Sequence, residues 1–468
     1  MNLLQYTDGF FKVNATHGFL PCQPPLAKLP KRYSSLQRLL DDMPRITHDQ
    51  KEGLLSIEGA LESRISQLED FSQIVKKETD PFVLQALFRG YAFLTSAYTL
   101  APAHFEYLKT EKYGKANRYV PSQLAMPFCW VARQLEVFPW LDYHYAYSLG
   151  NYVKTDPKGG LNWENLDMAV KFSGMPDERG FIMLHVDINQ HSPKLVEGVL
   201  NTLEELPQNN ASNITKNLAL CRLTMKKINT RRKVMWEASR WKHYNDFRVF
   251  IMGIKGNEEI FDEGIFYQGV YDTPKQYRGQ TGAQDNIIPM MDIFTGVIKH
   301  YPKNELTKYL MDLRSYRPTC IQRFLEDLRL EVQGLHEEGV LGMLVKQNNV
   351  TGMIELAGIL QEIYFFRNGH WQFVQKYIMQ NTAYSKATGG TPIISWIPNQ
   401  IRSVLNALES CLDQIPEETN SDLYVQIKTD FPIKVQLLDK QLKMLHQPDY
   451  KAKEVFDLNK KMKLADDE

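Results

Sequence analysis

One histidine lies where a buried metal ligand could be. It is His370, in the segment ILQEIYFFRNGHWQFVQKY. Apolar residues around it recur in helical steps of four and three, at Ile359, Ile363, Phe366, Phe373 and Tyr377. The spacing predicts a helix with His370 in its apolar stripe, and a buried neutral imidazole there could be an axial ligand of haem iron. For this helix alone, a core histidine bonded to a backbone carbonyl is the commoner explanation.

A single arginine in an apolar run could bind a carboxylate. Arg248 lies within YNDFRVFIMGIKGN, where an unpaired charge would be very costly to bury. Its partner could be a protein carboxylate or a substrate carboxylate held by the guanidinium fork. On this segment alone, a structural ion pair is the simpler interpretation.

A glycine pair marks a third segment that could do chemistry. The sequence TGGT at residues 388–391 permits close approach to a ligand or a hinge. It could therefore form a lid over a site, although an ordinary tight turn is commoner. It lacks the lysine that a phosphate-binding loop needs.

Several other kinds of site are excluded. No GxSxG nucleophile elbow is present. His185 and His191 are six residues apart, which turns them to different faces of a helix, so they make a poor metal pair. The five cysteines are scattered without a CxxC pair, which argues against a zinc site and a disulfide framework and favours reduced thiols in the cytoplasm. Lys+Arg and Asp+Glu both number 55, so the charge balance does not favour nucleic acid as a partner.

The elements that must position these residues are predicted to be helical. Asp80-Pro81 is typical of an N-cap followed by proline at the first helical position. Helical patterns cover 81–98, 214–228, 304–330, 352–380 and 397–413, whereas strand-like alternation is scarce. We therefore predict an all-α fold with a polar linker at or shortly after 152–164. No signal peptide and no apolar run of membrane-spanning length is evident, so we expect no membrane partner.

Three segments, in order, resemble the indoleamine 2,3-dioxygenase family. They are GIKGNEEIFDEGIFYQGVYDTPKQYRGQTGAQ at 253–284, LTKYLMDLRSYRP at 306–318, and His370 followed by ATGGTP at 387–392. A weaker match extends upstream through HGFLP at 17–21, MPFCWVARQLE at 126–136 and NYVKTDP at 151–157. No single motif is decisive, but the ordered combination spans nearly the whole chain.

The resemblance implies a small N-terminal helical domain (1–165) packed on a larger helical haem-binding catalytic domain (166–446), followed by a charged, loosely held tail (447–468). Haem b is the implied cofactor, with His370 as the iron ligand and Asp292 and Arg367 paired behind it. L-Tryptophan or a related indole and O2 are the implied partners. The implied product is N-formylkynurenine, the first step of the kynurenine pathway, and we expect a cytoplasmic monomer.

The resemblance also assigns a substrate pocket. Its expected residues are Arg248 for the substrate carboxylate, Thr388 of the closing loop, the aromatic walls Tyr143 and Phe181, His243 beside the indole, and Gly282 over the haem. His144 is an alternative to Tyr143, and Tyr244 is an alternative to His243. His185 stands where many members have a small hydroxyl residue, and we expect it to act catalytically.

The two histidines make the expected pocket more polar than the family pattern. They leave open a haem enzyme of the same fold that oxidises a different indole. A non-enzymatic haem or gas-binding protein is a further alternative.

Overall fold

The computed structural model describes residues 6–381, 393–447 and 450–461. Before residue 140 the helices are α1 (Ser34–Asp42), α2 (Ala60–Ser66), α3 (Ser72–Val75), α4 (Pro81–Thr110) and α5 (Ser122–Gln134). Between residues 170 and 300 they are α6 (Pro176–Asn189), α7 (Ser192–Glu205), α8 (Ala211–Lys233), α9 (Met235–Ala238), α10 (Asn245–Arg248), α11 (Glu258–Phe261) and α12 (Ile287–Thr295). The remaining helices are α13 (Glu305–Arg314), α14 (Thr319–Leu335), α15 (Gly339–Lys346), α16 (Val350–Val374), α17 (Ile393–Leu412), α18 (Asp422–Leu445) and α19 (Ala452–Lys461). The all-α prediction is confirmed.

Strands within the described residues are short, with two or three residues each. β1 (Tyr119–Val120) pairs in parallel with β4 (Phe266–Tyr267), and β2 (Tyr152–Lys154) pairs antiparallel with β3 (Leu166–Met168). In the second pair Tyr152 lies opposite Met168. The polar segment predicted as a linker at 152–164 is thus mostly the connection of a β-hairpin.

Helix α4 begins as its sequence predicts. The Asp80 side chain accepts hydrogen bonds from the backbone N–H groups of Phe82 (2.8 Å) and Val83 (3.3 Å), with Pro81 at the first helical position. These bonds satisfy amide groups that have no partner within the helix. The helix then passes through the protein interior, and Ser96 near its middle donates to the backbone oxygen of Phe250. It therefore joins the N-terminal residues to the segment that carries Arg248.

Helices α8 and α16 pack side by side at the centre of the fold. Gly358 permits their close approach, because a Cβ at this position would lie 2.3 Å from Cδ of Arg222. Arg222 Nε donates to Glu355 Oε2 at 2.6 Å, and Asn229 Nδ2 donates to the backbone oxygen of Glu362 at 2.9 Å. This interface fixes the rotation of α16 and hence the direction in which its C-terminal half faces.

One connected apolar core extends from Tyr6 to Val455. It includes residues on both sides of the division predicted at 165/166, so the two-domain description stays a prediction. No helix in the described ranges has the length and apolarity needed to cross a membrane.

Within the segment predicted as a charged tail, the described residues 450–461 contact the rest of the fold. Its helix α19 buries Val455, and Asn459 both donates to Gln375 Oε1 (3.2 Å) and accepts from Gln441 Nε2 (3.1 Å). The few inward-facing residues are enough to dock an otherwise charged helix, because the polar ones among them find hydrogen-bond partners.

Candidate active site

His370 lies near the C-terminal end of α16. Burial, and to a smaller extent the nearby charges of Arg232, His185 and Arg367, lower its pKa to about 4. The residue is nevertheless exposed, unlike the fully buried position that the stripe predicts. The imidazole is therefore surrounded by protein atoms and still accessible to a ligand. It is neutral at physiological pH, the state in which it can bind a metal.

A buried ion pair supports the helix behind this imidazole. Arg367, one turn before His370, donates to Asp292 of α12, and the two side chains are 6% and 2% exposed. Tyr301 donates its hydroxyl hydrogen to the same Asp292 oxygen, and Arg367 Nη2 lies 3.1 Å from that hydroxyl. Burial opposes the charge on Arg367, but Asp292 and Tyr301 hold its pKa above the ordinary value. The structure thus brings the expected pair together and adds Tyr301 to it.

The residues around His370 fit a haem. The described residues contain no group of three or more His, Cys, Asp or Glu side chains that could hold a metal ion. A lone imidazole would suit an iron whose remaining protein-independent ligands are the nitrogens of a porphyrin. In addition, Asp292 Oδ1 and Arg367 Nε are buried without a hydrogen-bond partner in the described structure. Buried polar atoms ordinarily have partners, and a cofactor with a polar edge would supply them.

A second imidazole, that of His185 on α6, lies in the neighbourhood of the first. His185 is close enough to His370 for its charge to affect the pKa of that residue. Its ring lies 5.4 Å from the ring of Tyr143 and 6.1 Å from that of Phe181. A Cβ at Gly282 would lie 3.7 Å from His185 Cε1. Four of the residues predicted for the site, Tyr143, Phe181, His185 and Gly282, therefore form one cluster.

The elements that present this cluster begin at capped ends. Tyr143 opens a five-residue π-helical turn, Tyr143–Tyr147. The Asp142 carboxylate caps this turn by accepting from the N–H groups of Tyr145 (3.1 Å) and Ala146 (2.7 Å). Gly282 opens a short 3₁₀ turn closed by a capping box between Thr281 and Gln284. Both turns are held by local hydrogen bonds, so their side chains keep fixed directions.

Hydrogen bonds connect His185 to a partly buried carboxylate, that of Asp285. The Tyr143 hydroxyl lies 3.2 Å from His185 Nδ1 and donates to Asp285 Oδ2 at 2.8 Å. Asn189, one helical turn after His185, donates to the same oxygen at 2.7 Å. Burial raises the pKa of Tyr143 well above its usual range, and Asp285 raises it further. Burial also lowers the pKa of His185, which Asp285 opposes.

Arg248 is fully buried on α10. Its guanidinium lies close enough to the hydroxyl groups of Tyr113 and Tyr244 to lower their pKa values, although burial has the larger effect and raises both. Tyr244 also packs against Phe181, with ring centroids 5.2 Å apart. Arg248 is thus connected through one aromatic side chain to the cluster around His185.

The structure distinguishes the two pairs of alternatives. Tyr143 contacts His185, whereas the buried His144 faces Asn286, with Nε2 3.0 Å from the Asn286 side-chain nitrogen. Tyr244 contacts Phe181, whereas the His243 side chain is 39% exposed and lies 3.2 Å from Asp246. His243 is therefore not brought to the cluster. Thr388 lies outside the described residues.

Sequence reasoning did not identify Asp285, Asn189 or Tyr301. Asn189 follows His185 by four residues, a spacing that places both side chains on one helix face and could have indicated it. Asp285 follows Gly282 by three residues, but nothing in that spacing indicates that its side chain turns toward Tyr143. Tyr301 lies in a loop after α12, where no periodicity applies.

The chain is similar to known proteins over most of its length. A family model described as indoleamine 2,3-dioxygenase matches residues 8–422. Indoleamine 2,3-dioxygenase 1 of Rattus norvegicus is 26% identical over 217 residues, which are 45% of this chain and 52% of that protein. Indoleamine 2,3-dioxygenase 2 of Homo sapiens is 25% identical over 397 residues, 82% of this chain and 86% of that protein. A 6-hydroxytryptophan 2,3-dioxygenase of Fusarium equiseti is 23% identical over 382 residues, 79% of this chain and 84% of that protein. The matched region thus spans about half of the rat protein and most of the other two.

Proposed function

Because the chain belongs to the indoleamine 2,3-dioxygenase family, we propose that it is a haem-dependent dioxygenase that opens the pyrrole ring of L-tryptophan with O2. Both oxygen atoms enter the substrate, and N-formylkynurenine is the product. The observation behind this proposal is that two desolvated imidazoles from separate helices, those of His370 and His185, lie close enough for the charge of His185 to lower the pKa of His370.

His370 would hold the cofactor as its only protein ligand. Its low pKa keeps the imidazole neutral and able to bind iron. Asp292 and Arg367 would fix the helix behind it, and Arg367 Nε, which is buried without a hydrogen-bond partner in the described structure, would donate to a polar edge of the cofactor. When bound, haem b would supply the redox chemistry with O2.

The other residues of the site would bind and orient the substrate. Arg248 would hold the amino-acid carboxylate through its guanidinium fork, and Thr388 would lie near the amino group. Phe181 and Tyr244 would pack against the indole, while Gly282 leaves room beside His185. Holding the carboxylate and the ring at once contributes alignment, which is much of what a protein adds to such a reaction.

A different indole is the second candidate substrate. The cluster around His185 includes the hydrogen-bonded polar side chains of His185, Tyr143 and Asp285. These side chains could accommodate a substituted indole better than apolar ones would. One relative is named for 6-hydroxytryptophan. The ring-opening chemistry would be the same in this case.

The state of the cysteines bears on the compartment in which the protein acts. All five cysteines are free thiols, which suits a reducing compartment such as the cytoplasm. We propose a cytoplasmic monomer acting at the start of the kynurenine pathway.

Turnover of the haem-loaded, reduced protein tests the function. L-Tryptophan and 6-hydroxytryptophan would be supplied separately under ¹⁸O2, with product mass as the readout. Gain of two labelled oxygen atoms by tryptophan supports the proposal, and the same gain by 6-hydroxytryptophan alone supports the second candidate. Gain of a single atom would contradict dioxygenation, and haem binding without any substrate-dependent spectral change would indicate a haem or gas-binding protein.

A further inference from the structure

The hydrogen-bonded chain behind His185 has a direction. The Tyr143 hydroxyl has one hydrogen and lies 3.2 Å from His185 Nδ1 and 2.8 Å from Asp285 Oδ2, with the Asn189 amide as a further donor beside it. A carboxylate can only accept hydrogen bonds, and bonds to charged acceptors are shorter and stronger than neutral ones. The hydroxyl hydrogen therefore goes to Asp285. The remaining contact is satisfied only if His185 Nδ1 carries a hydrogen and donates it to the tyrosine oxygen.

Neighbouring groups hold Asp285 as the acceptor at the end of this chain. Asn189 Nδ2 donates to its Oδ2 at 2.7 Å, and the Ile287 N–H donates to its Oδ1 at 2.9 Å. Arg317, itself buried, donates to the backbone oxygen of Asp285 at 3.3 Å. Tyr143, Asn189 and Ile287 thus all donate to the side chain of Asp285, and the arginine fixes the loop that carries it.

The other ring nitrogen of His185 is available to a ligand. Nε2 makes no hydrogen bond with any of the described residues, yet it is not among their buried unpartnered atoms. It therefore keeps accessible surface, on the side of the ring that does not face Tyr143. If Nδ1 carries the hydrogen, Nε2 of the neutral ring has a lone pair and can only accept.

We propose that Tyr143 and Asp285 are positioning residues that hold His185 as its Nδ1–H tautomer and so make Nε2 a hydrogen-bond acceptor. Such an acceptor would bind an N–H group, and the choice of an indole N–H rests on the proposed function. The same tautomer cannot donate from Nε2 to bound oxygen. The polar wall would thus select ligands with a ring N–H.

Nitrogen NMR of the full chain reads the tautomer directly. Protein labelled with ¹⁵N-histidine would be measured before and after haem loading, with the His185 signals assigned by their loss in His185→Gln. We expect a protonated Nδ1 and an unprotonated Nε2 in the unchanged protein. Tyr143→Phe removes the acceptor of the Nδ1–H hydrogen bond. Asp285→Asn weakens the hydrogen bond that the Tyr143 hydroxyl donates. Both variants should therefore increase the population of the Nε2–H tautomer of His185. Either variant suffices if the other fails to fold.

Tyr145→Phe is the matched control. Tyr145 lies in the same π-helical turn and donates its hydroxyl hydrogen to the partly buried Asp8. Among the described residues, no hydrogen bond or ring contact joins Tyr145 to His185. Its removal should leave the tautomer unchanged. An Nε2–H ring in the unchanged protein, or no shift in both Tyr143→Phe and Asp285→Asn, would overturn the proposal.

A binding measurement tests the acceptor role separately. Methylation of the indole nitrogen removes the N–H and should weaken binding to the haem-loaded protein. Loss of one neutral hydrogen bond corresponds to about two- to tenfold in Kd. Methylation should weaken binding less in Tyr143→Phe than in the unchanged protein, and it should not weaken binding in His185→Ala. Equal penalties in all three proteins would overturn the acceptor role, whereas the NMR result stands even if no indole is turned over.

Discussion

Arg367 donates a hydrogen bond to Asp292 across 75 positions of the chain. The pair joins α16 to α12 at a point one helical turn from His370. Because both side chains are almost fully buried, each charge depends on the other. This pair therefore fixes the helix that carries His370. Removal of only one of the two side chains would leave the other charge buried without its partner and would destabilise the fold.

Asp292→Ala should destabilise the protein and weaken haem binding. It leaves the Arg367 charge buried without its partner, which costs about 3–5 kcal/mol. Urea unfolding and haem titration measure the two effects. Asp439→Ala is the control, since it breaks an aspartate–arginine pair whose side chains are 49% and 33% exposed, a kind of pair worth about 0.2–1 kcal/mol. Equal losses in the two variants would contradict the structural role of Asp292.

His370→Ala should abolish or sharply reduce haem retention, because no second protein ligand is expected to replace the imidazole. The ratio of Soret to protein absorbance after gel filtration measures the loss. His446→Ala, which removes an exposed histidine, should retain haem normally. A normal Soret band and an unchanged carbon-monoxide spectrum in His370→Ala would refute the assignment.

Arg248→Ala should lower kcat/KM for tryptophan by roughly tenfold to a hundredfold or more, since a hydrogen bond to a charged group is worth about 1.5–3 kcal/mol. The sharper measurement compares tryptophan with tryptamine, which lacks the carboxylate. The unchanged protein should prefer tryptophan, and the variant should lose that preference while keeping its haem. Arg240→Ala, which removes an arginine whose side chain is 61% exposed and pairs with the buried Asp177, should keep the preference. If the unchanged protein binds tryptamine as tightly as tryptophan, Arg248 does not bind the carboxylate.

Asp142 should make the stability of the protein depend on pH. Burial raises its pKa from 3.8 to about 7, partly offset by the backbone N–H donors of the turn that it caps. A carboxyl group with a raised folded-state pKa stabilises the fold below pH 4, and that contribution is lost as the pH rises to 7. About three pKa units at about 1.4 kcal/mol each give an upper limit of about 4 kcal/mol.

Urea unfolding at several values between pH 4 and 8 measures this effect. The part of the pH dependence due to Asp142 should disappear in Asp142→Asn, which keeps the shape but cannot ionise. Asp272→Asn, at a position that is exposed, should behave like the unchanged protein. Identical pH profiles for Asp142→Asn and the unchanged protein would show that this carboxyl group does not titrate in the window.

The helices and the type of fold were determined by the sequence alone, because they depend on neighbouring residues. The Asp80-Pro81 start of α4 and the periodicity of α8 and α16 appear in the structure as predicted. His370 was found because a histidine interrupts an otherwise apolar stripe. Local spacing, however, fixes only which residues share a face of one helix.

Only the tertiary structure decided which groups meet across the site. Tyr244 rather than His243 faces Phe181, because the direction of a side chain in a short turn depends on how that turn packs. Asp285 reaches Tyr143 from 142 positions away, and no periodicity connects a loop to a distant π-helical turn. His370 is exposed, although the apolar stripe of its own helix predicts that it is buried. Such relations come from the packing of helices against one another, which the local pattern of residues does not specify.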